Sequence, residues 1–217
     1  MIRLTRTAQP QVLQNNHVAW RITHLAEIAS GTKFSQTSVA TNYNKKEVKE
    51  SLLVSSQNKC MYCESHVKHI EHGEIEHIIP KSVDHSKVFE WDNLGFCCPV
   101  CNNNKREYYT PTESIVNPFD EDPKGFVIAV GSMVFSKPGN NRGFATVNKL
   151  ELNRIELVEK RAEKIKGLQT LLDQIERLPT AELKDMIKTQ VEAMLSHDSE
   201  YSFVLNGAFL QLSTNQA

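Results

Sequence analysis

No apolar run in this chain approaches the roughly 20 residues that cross a bilayer, and the opening MIRLTRTAQPQVLQ carries Arg3 and Arg6 without the apolar stretch of a secretory leader. These absences argue against a membrane protein and lead us to expect a cytoplasmic one. Glycine, serine or proline tracts are also missing, which excludes a long disordered linker, and there is no internal repeat to suggest a solenoid. A basic excess is lacking as well: Lys+Arg number 25 against Asp+Glu 26, for a net charge of -1. That balance excludes a free-standing, tight, non-specific nucleic-acid binder, so a chain like this acting on nucleic acid would need something else to deliver it. Cysteine is scarce and odd in number, five in all. Without a secretion signal, five cysteines argue against a disulfide framework and for metal ligation.

What is present is globular. With 217 residues, 40% of them hydrophobic and 24% charged, the chain can bury its own core, so any metal would be local reinforcement. Val18, Ile22, Leu25 and Ile28 recur at helical spacing, predicting a helix from Asn16 to Ala29 with Asn15 or Asn16 as cap and with His17 and His24 as ordinary packing or surface histidines. Asn44 and Glu47 form a capping box for a second helix through Val48, Leu52 and Leu53. From Cys60 to Tyr109 the plan changes to strand, loop, strand, helix: Glu74 to Ile79, Asn93 to Cys97, then a helix entered through Pro99 and running to Tyr109. FVIAVGSMVF reads as a hairpin turning at Gly131 and Ser132, followed by a polar loop over 138–143. Asn153 and Glu156 cap a long helix with a stripe at Ile155, Val158, Ala162, Ile165, Leu168, Leu172 and Ile175. Pro179 ends it, Thr180 caps the next, whose face is Leu183, Ile187, Val191, Met194 and Leu195, and YSFVLNGAFLQL packs back as a short helix, with a strand as the alternative.

Two CxxC pairs, Cys60/Cys63 and Cys98/Cys101, flank the strands. A two-residue spacer lets both sulfurs of a knuckle face one ion, and four thiolates close a tetrahedral shell around structural Zn2+. Cys97 reads as a small buried apolar residue at a strand end, and His66, His69 and His72 as exposed. Between the knuckles lies EIEHIIPKS. Adjacent strand residues point to opposite faces, so Glu76 can bind an ion while His77 reaches a water from another direction. Oxygen donors from Glu76 and Asn102 favour Mg2+ or Mn2+, a neutral His77 suits a general base, and Asn93 can hold the loop or the imidazole by hydrogen bonding. Lys81, Lys87, Lys105 and Arg106 are near enough in sequence to contact phosphates, and Trp91 reads as a packing anchor.

CMYC, EHIIPKS, WDNL and CPVCNNNK, in that order, resemble an HNH endonuclease. The resemblance, over about Cys60 to Tyr109, implies a ββα core binding one catalytic metal ion, with four cysteines on a structural zinc. It implies a catalytic ion held by Glu76 and Asn102, a base at His77, and the middle Asn at Asn93. Asn102 departs from members with histidine there, which tilts metal preference towards magnesium or manganese. MIRLTR, SIVNPFDEDPKGF and GFATVNKLELNRIELVEKR extend a looser likeness to the PtuB family, the HNH subunits of Septu-type anti-phage systems, including relatives encoded beside retrons. That likeness implies an ABC or SMC-like ATPase partner (PtuA-like), a nucleic-acid substrate and, for the retron branch, a reverse transcriptase with its RNA–DNA product.

The expected fold is therefore α+β: N-terminal helices over 1–58, a zinc-stabilised ββα-metal HNH core over 59–110, and a small hairpin with a C-terminal, partner-binding helical region over 111–217. The alternative function is a non-catalytic zinc-stabilised module that docks on nucleic acid or protein. Glu76, His77 and Asn102 together favour the nuclease, because a purely structural zinc ribbon has no use for that trio.

Overall fold

The computed structural model describes residues 1–67 and 73–214, with backbone only at 214. His69 and His72 lie outside the described residues. The chain forms two compact units, one of Met1–Arg3, Tyr62–Ser65 and Thr112–Ala217, the other of Leu4–Met61 and His66–Pro111. Among the described residues no helix is long and apolar enough to cross a membrane.

The second unit begins with α1 (Gln11–Ala29), which starts five residues before Asn16 because Pro10, extended at ψ 147°, leads the chain into it and accepts the first amide bonds. The face it buries is not the expected one. Leu13 and His24 point inward, while Val18, Ile22 and Leu25 are exposed, Ile22 by 62%. His24 decides this orientation: it is fully buried, hydrogen-bonded to Thr37 (2.8 Å), and meets the rings of Phe34, His85 and Phe89 edge-on. Thr37 Oγ1 donates to the Phe34 carbonyl, so it accepts from His24 Nδ1–H. Burial, with His85 nearby, lowers the His24 pKa. Helix α2 (Lys46–Ser55) begins two residues after Asn44, without a side-chain cap, because Glu47 accepts from the Val12 amide instead of closing a capping box.

Strands β1 (Glu74–His77) and β2 (Leu94–Cys97) pair antiparallel, Glu74 opposite Cys97 and His77 opposite Leu94. Gly95 faces Glu76 across the ladder and has no room for a side chain: a Cβ there would sit 2.2 Å from the Met61 sulfur. Met61 in turn hooks its amide to the Phe96 carbonyl (2.9 Å), tying the first CxxC turn to β2. Arg6 clamps the entry to β2 through the carbonyls of Asp92 and Leu94 (both 2.7 Å), beside a buried Trp91 whose indole donates to Thr7. Helix α3 (Pro99–Lys105) follows with proline in its first turn. It ends at Lys105 instead of Tyr109, because Arg106 takes a positive φ of 49°.

In the other unit, β3 (Val127–Val130) and β4 (Met133–Ser136) form the expected hairpin. The stretch FATV (144–147) that follows is helical. It lies in α4 (Asn141–Lys149), capped by the Asn140 side chain on the Gly143 amide (2.8 Å), a helix start within the expected polar loop. Asn153 does not cap the long helix α5 (Ile155–Arg177). Its amide bonds both the N–H (2.8 Å) and the C=O (2.7 Å) of Val134, pinning β4. α5 keeps its expected stripe from Ile165 onward, with Leu168 in the core and Ile165, Leu172 and Ile175 packed against it, but departs from it at the start, where Ile155 is exposed and Leu157 and Arg161 are buried. Arg161 is tolerated there because it donates to the Leu152 carbonyl (2.7 Å) and lies over the Tyr201 ring. α6 (Ala181–Leu195) is capped by Thr180, and the last segment is helical, α7 (Ser202–Thr214). Leu168, Val191 and Leu205 form the core of this three-helix group. Glu64 holds the start of α7, accepting from Ser202 Oγ (3.0 Å) and the Phe203 amide (3.2 Å).

Candidate active site

The sulfurs of Cys60, Cys63, Cys98 and Cys101 all lie within 4.8 Å of one another. Zinc–sulfur bonds of about 2.3 Å place tetrahedral sulfurs roughly 3.8 Å apart, so a small contraction around an ion completes the shell. Cys98 Sγ already accepts the Cys101 amide (3.4 Å), the local turn that aims both sulfurs at one point. Four thiolates of this kind can hold a structural metal, and the donor set is that of zinc. Cys97, fully buried in β2, stands outside the cluster.

A shallow cleft of about 130 Å³ opens beside β1 and α3, lined among others by Glu76, His77, Lys81, Asn102 and Arg106. Side chains two apart on β1 share a face, and Glu74 and Glu76 both meet α3. Glu74 Oε2 accepts from Asn102 Nδ2 (2.6 Å), and Glu76 Oε1 pairs with Lys105 Nζ (2.5 Å). Asn102 and Lys105 are one helical turn apart, so strand and helix are joined by two rungs.

Lys105 is not placed to reach a phosphate. Its side chain is 2% exposed, bound to Glu76 and to the His77 carbonyl (2.9 Å), because its position in the last turn of α3 points it under β1. Lys81, half-buried, donates to Tyr43 Oη (2.9 Å), and Arg106 is exposed at the rim. Lys87 is exposed but does not line the cleft.

His77 points away from the two rungs. Its Nε2 lies 3.0 Å from the Val88 carbonyl, which can only accept, so Nε2 carries the proton and Nδ1 is left with its lone pair. Tyr43 packs edge-on against the ring, centroids 4.6 Å apart. Burial first, then the charge of Lys81 and, more weakly, of Lys105, push its pKa down to about 3 against the opposing pull of the Val88 bond. The imidazole is therefore neutral at pH 7.

Asn93 does not touch His77 directly. Its amide accepts from the Ile79 N–H (2.7 Å) and donates to the carbonyls of Ile79 and Lys87 (both 3.0 Å), while its own carbonyl takes the Ile78 N–H (2.9 Å). It clips both ends of the β1–β2 loop, and that loop carries the Val88 carbonyl that orients His77. The contributions of Glu74, Tyr43 and Val88 are absent from the sequence reading. Glu74 alone left a signal, its two-residue offset from Glu76 on a strand.

The carboxylate of Glu76 and the amide of Asn102, on one cleft with a second carboxylate behind, are hard oxygen donors that fit a divalent ion such as Mg2+ or Mn2+. Residues 60–107 match the family model described as HNH endonuclease. The chain is 31% identical to Septu protein PtuB of Bacillus thuringiensis over 52% of its own length and 44% of that protein's, so it spans less than half of this relative. It is 25% identical to Septu protein PtuB of Bacillus mycoides (strain KBAB4) over 92% of this chain and 79% of the relative. Residues 60–107, with their paired strands, following helix and four clustered cysteines, are a domain of the HNH endonuclease family.

Proposed function

We propose that this chain is a metal-dependent endonuclease that hydrolyses phosphodiester bonds, acting as the effector subunit of an anti-phage complex. The observation that carries the reading is the convergence of Glu76, His77 and Asn102 on one cleft with Lys81 and Arg106 at its side. Glu76 and Asn102 would hold the catalytic ion, Mg2+ or Mn2+. That ion supplies stabilisation of the charge developing on the phosphate and the leaving oxygen. His77 Nδ1 accepts the proton of the attacking water, and Val88 keeps the imidazole in the tautomer that can do so. Burial, with the charges of Lys81 and Lys105, depresses its proton affinity, and an anionic phosphate entering the cleft would offset the two lysine charges. Asn93 acts through the loop as a positioning residue. Lys81 and Arg106 contact flanking phosphates.

Similarity to two proteins named PtuB, together with a net charge of -1, supports an ATPase partner that grips nucleic acid for this subunit. Leu183 and Met186, exposed on α6, offer apolar surface for it, and co-purification with Met186→Glu tests that contact. The retron branch would add a reverse transcriptase and its RNA–DNA product. The decisive experiment incubates the purified complex with DNA and with RNA in Mg2+ or Mn2+. His77→Ala should abolish cleavage while leaving zinc content unchanged. Equal activity in that variant rejects the mechanism.

A further inference from the structure

The rung between Glu74 and Asn102 has no part in the chemistry above, yet it decides which atom of Asn102 faces the cleft. An ionised carboxylate can only accept, so the atom 2.6 Å from Glu74 Oε2 must be the amide nitrogen. The amide is planar, and fixing its nitrogen on Glu74 sends Oδ1 the other way. We propose that Glu74 is a positioning residue that orients the Asn102 amide so that its oxygen is presented to the divalent ion. This rests on the nuclease reading.

Three features set the arrangement. Glu74 does not line the cleft whereas Asn102 does, so Glu74 acts from behind its neighbour. Lys105, the buried cation on α3, is engaged by Glu76 and the His77 carbonyl, so it does not draw Glu74 away from the amide. Glu74 sits opposite Cys97 in the β1–β2 ladder, and α3 starts two residues after Cys97, so the spacing of the rung is fixed by backbone on both sides. Without Glu74 the amide turns freely about its last torsion, and whenever its NH2 faces the cation the site loses a donor and gains a repulsion.

Mn2+ titration followed by electron paramagnetic resonance tests this on the full chain, with zinc content and near-UV dichroism as checks of folding. Glu74→Ala should weaken Mn2+ binding by about 10- to 100-fold, the range for losing a partner that orients a ligand. Glu74→Gln, whose side-chain oxygen still accepts, should stay within roughly threefold of the original. Unchanged binding in Glu74→Ala overturns the proposal while leaving the nuclease reading intact, and so does an equal loss in both variants, which would mark a charge effect. A wild-type chain that binds no Mn2+ overturns both. Should Glu74→Ala fail to fold, the wild-type Asn102 side-chain amide decides by NMR: one proton shifted downfield and slow to exchange supports the rung, and solvent-like exchange removes it.

Discussion

Exchange of Lys105 for methionine removes one charge from a pair in which both side chains are 2% exposed, and leaves Glu76 ionised and almost fully buried at the edge of the cleft. Methionine fills nearly the same volume, so the loss is electrostatic. Breaking a buried pair from one side costs about 3–5 kcal/mol, and the Lys105 bond to the His77 carbonyl adds to it. Urea denaturation without added divalent ions should show that loss as a fall in midpoint at an unchanged slope. The double variant Glu76→Gln/Lys105→Met removes both charges and should recover about half of the loss or more, since two neutral groups of matched size are cheaper to bury than one unpaired ion. A surface lysine would behave otherwise, with a change within about 0.5 kcal/mol and no coupling to Glu76. A fall of less than about 1 kcal/mol in the single variant, or additive losses in the double, would refute the reasoning.

Cys98→Ser should lower bound zinc, measured by elemental analysis, and reduce thermal stability, because metal binding by a four-thiolate site is folding free energy. Asn93→Ala removes the side-chain partner of three part-buried backbone groups and should cost about 1–3 kcal/mol, with faster amide exchange across the β1–β2 loop than elsewhere. Acid should weaken the fold through both buried histidines. His24 and His77 have lowered pKa values, so below the ordinary histidine value near 6.5 the unfolded chain takes up protons that the native chain refuses. For His77 alone the loss at pH 5 is about 1.5 units × 1.36, roughly 2 kcal/mol, growing until the native value of about 3. Denaturation midpoints at pH 7 and pH 5 in His24→Phe should differ by less than in the original chain.

Features set by neighbours in sequence were legible before any coordinates. The CxxC spacing announces the sulfur cluster, Pro99 the entry to α3, Thr180 the cap of α6, and Gly131 the hairpin turn. What sequence could not settle was which partner wins when several are available. Asn153 had a capping role open to it and took both backbone groups of Val134 instead. Glu47 likewise went to Val12. The apolar spacing of α1 and α5 correctly signals helix, and that of α5 also gives its inward face from Ile165 onward, but the buried face of α1 and of the first turns of α5 centres on a polar residue, His24 or Arg161, whose hydrogen bonds exist only in the folded chain. At the cleft, the residue types around EIEH suggested the chemistry. That Lys105 turns inward and Glu74 meets Asn102 depends on how a two-residue strand period meets a three-residue helix period.

The amide of Asn93 grasps only main-chain atoms at Ile79 and Lys87. The side chains between those two points are therefore spectators to the closure, and Val83, outside the cleft lining, already projects into solvent. Extra sequence spliced in at that tip, such as a reporter peptide or a short recognition segment, would lengthen the excursion without altering where it begins and ends. The chemistry beneath would keep its alignment while the material above it changed.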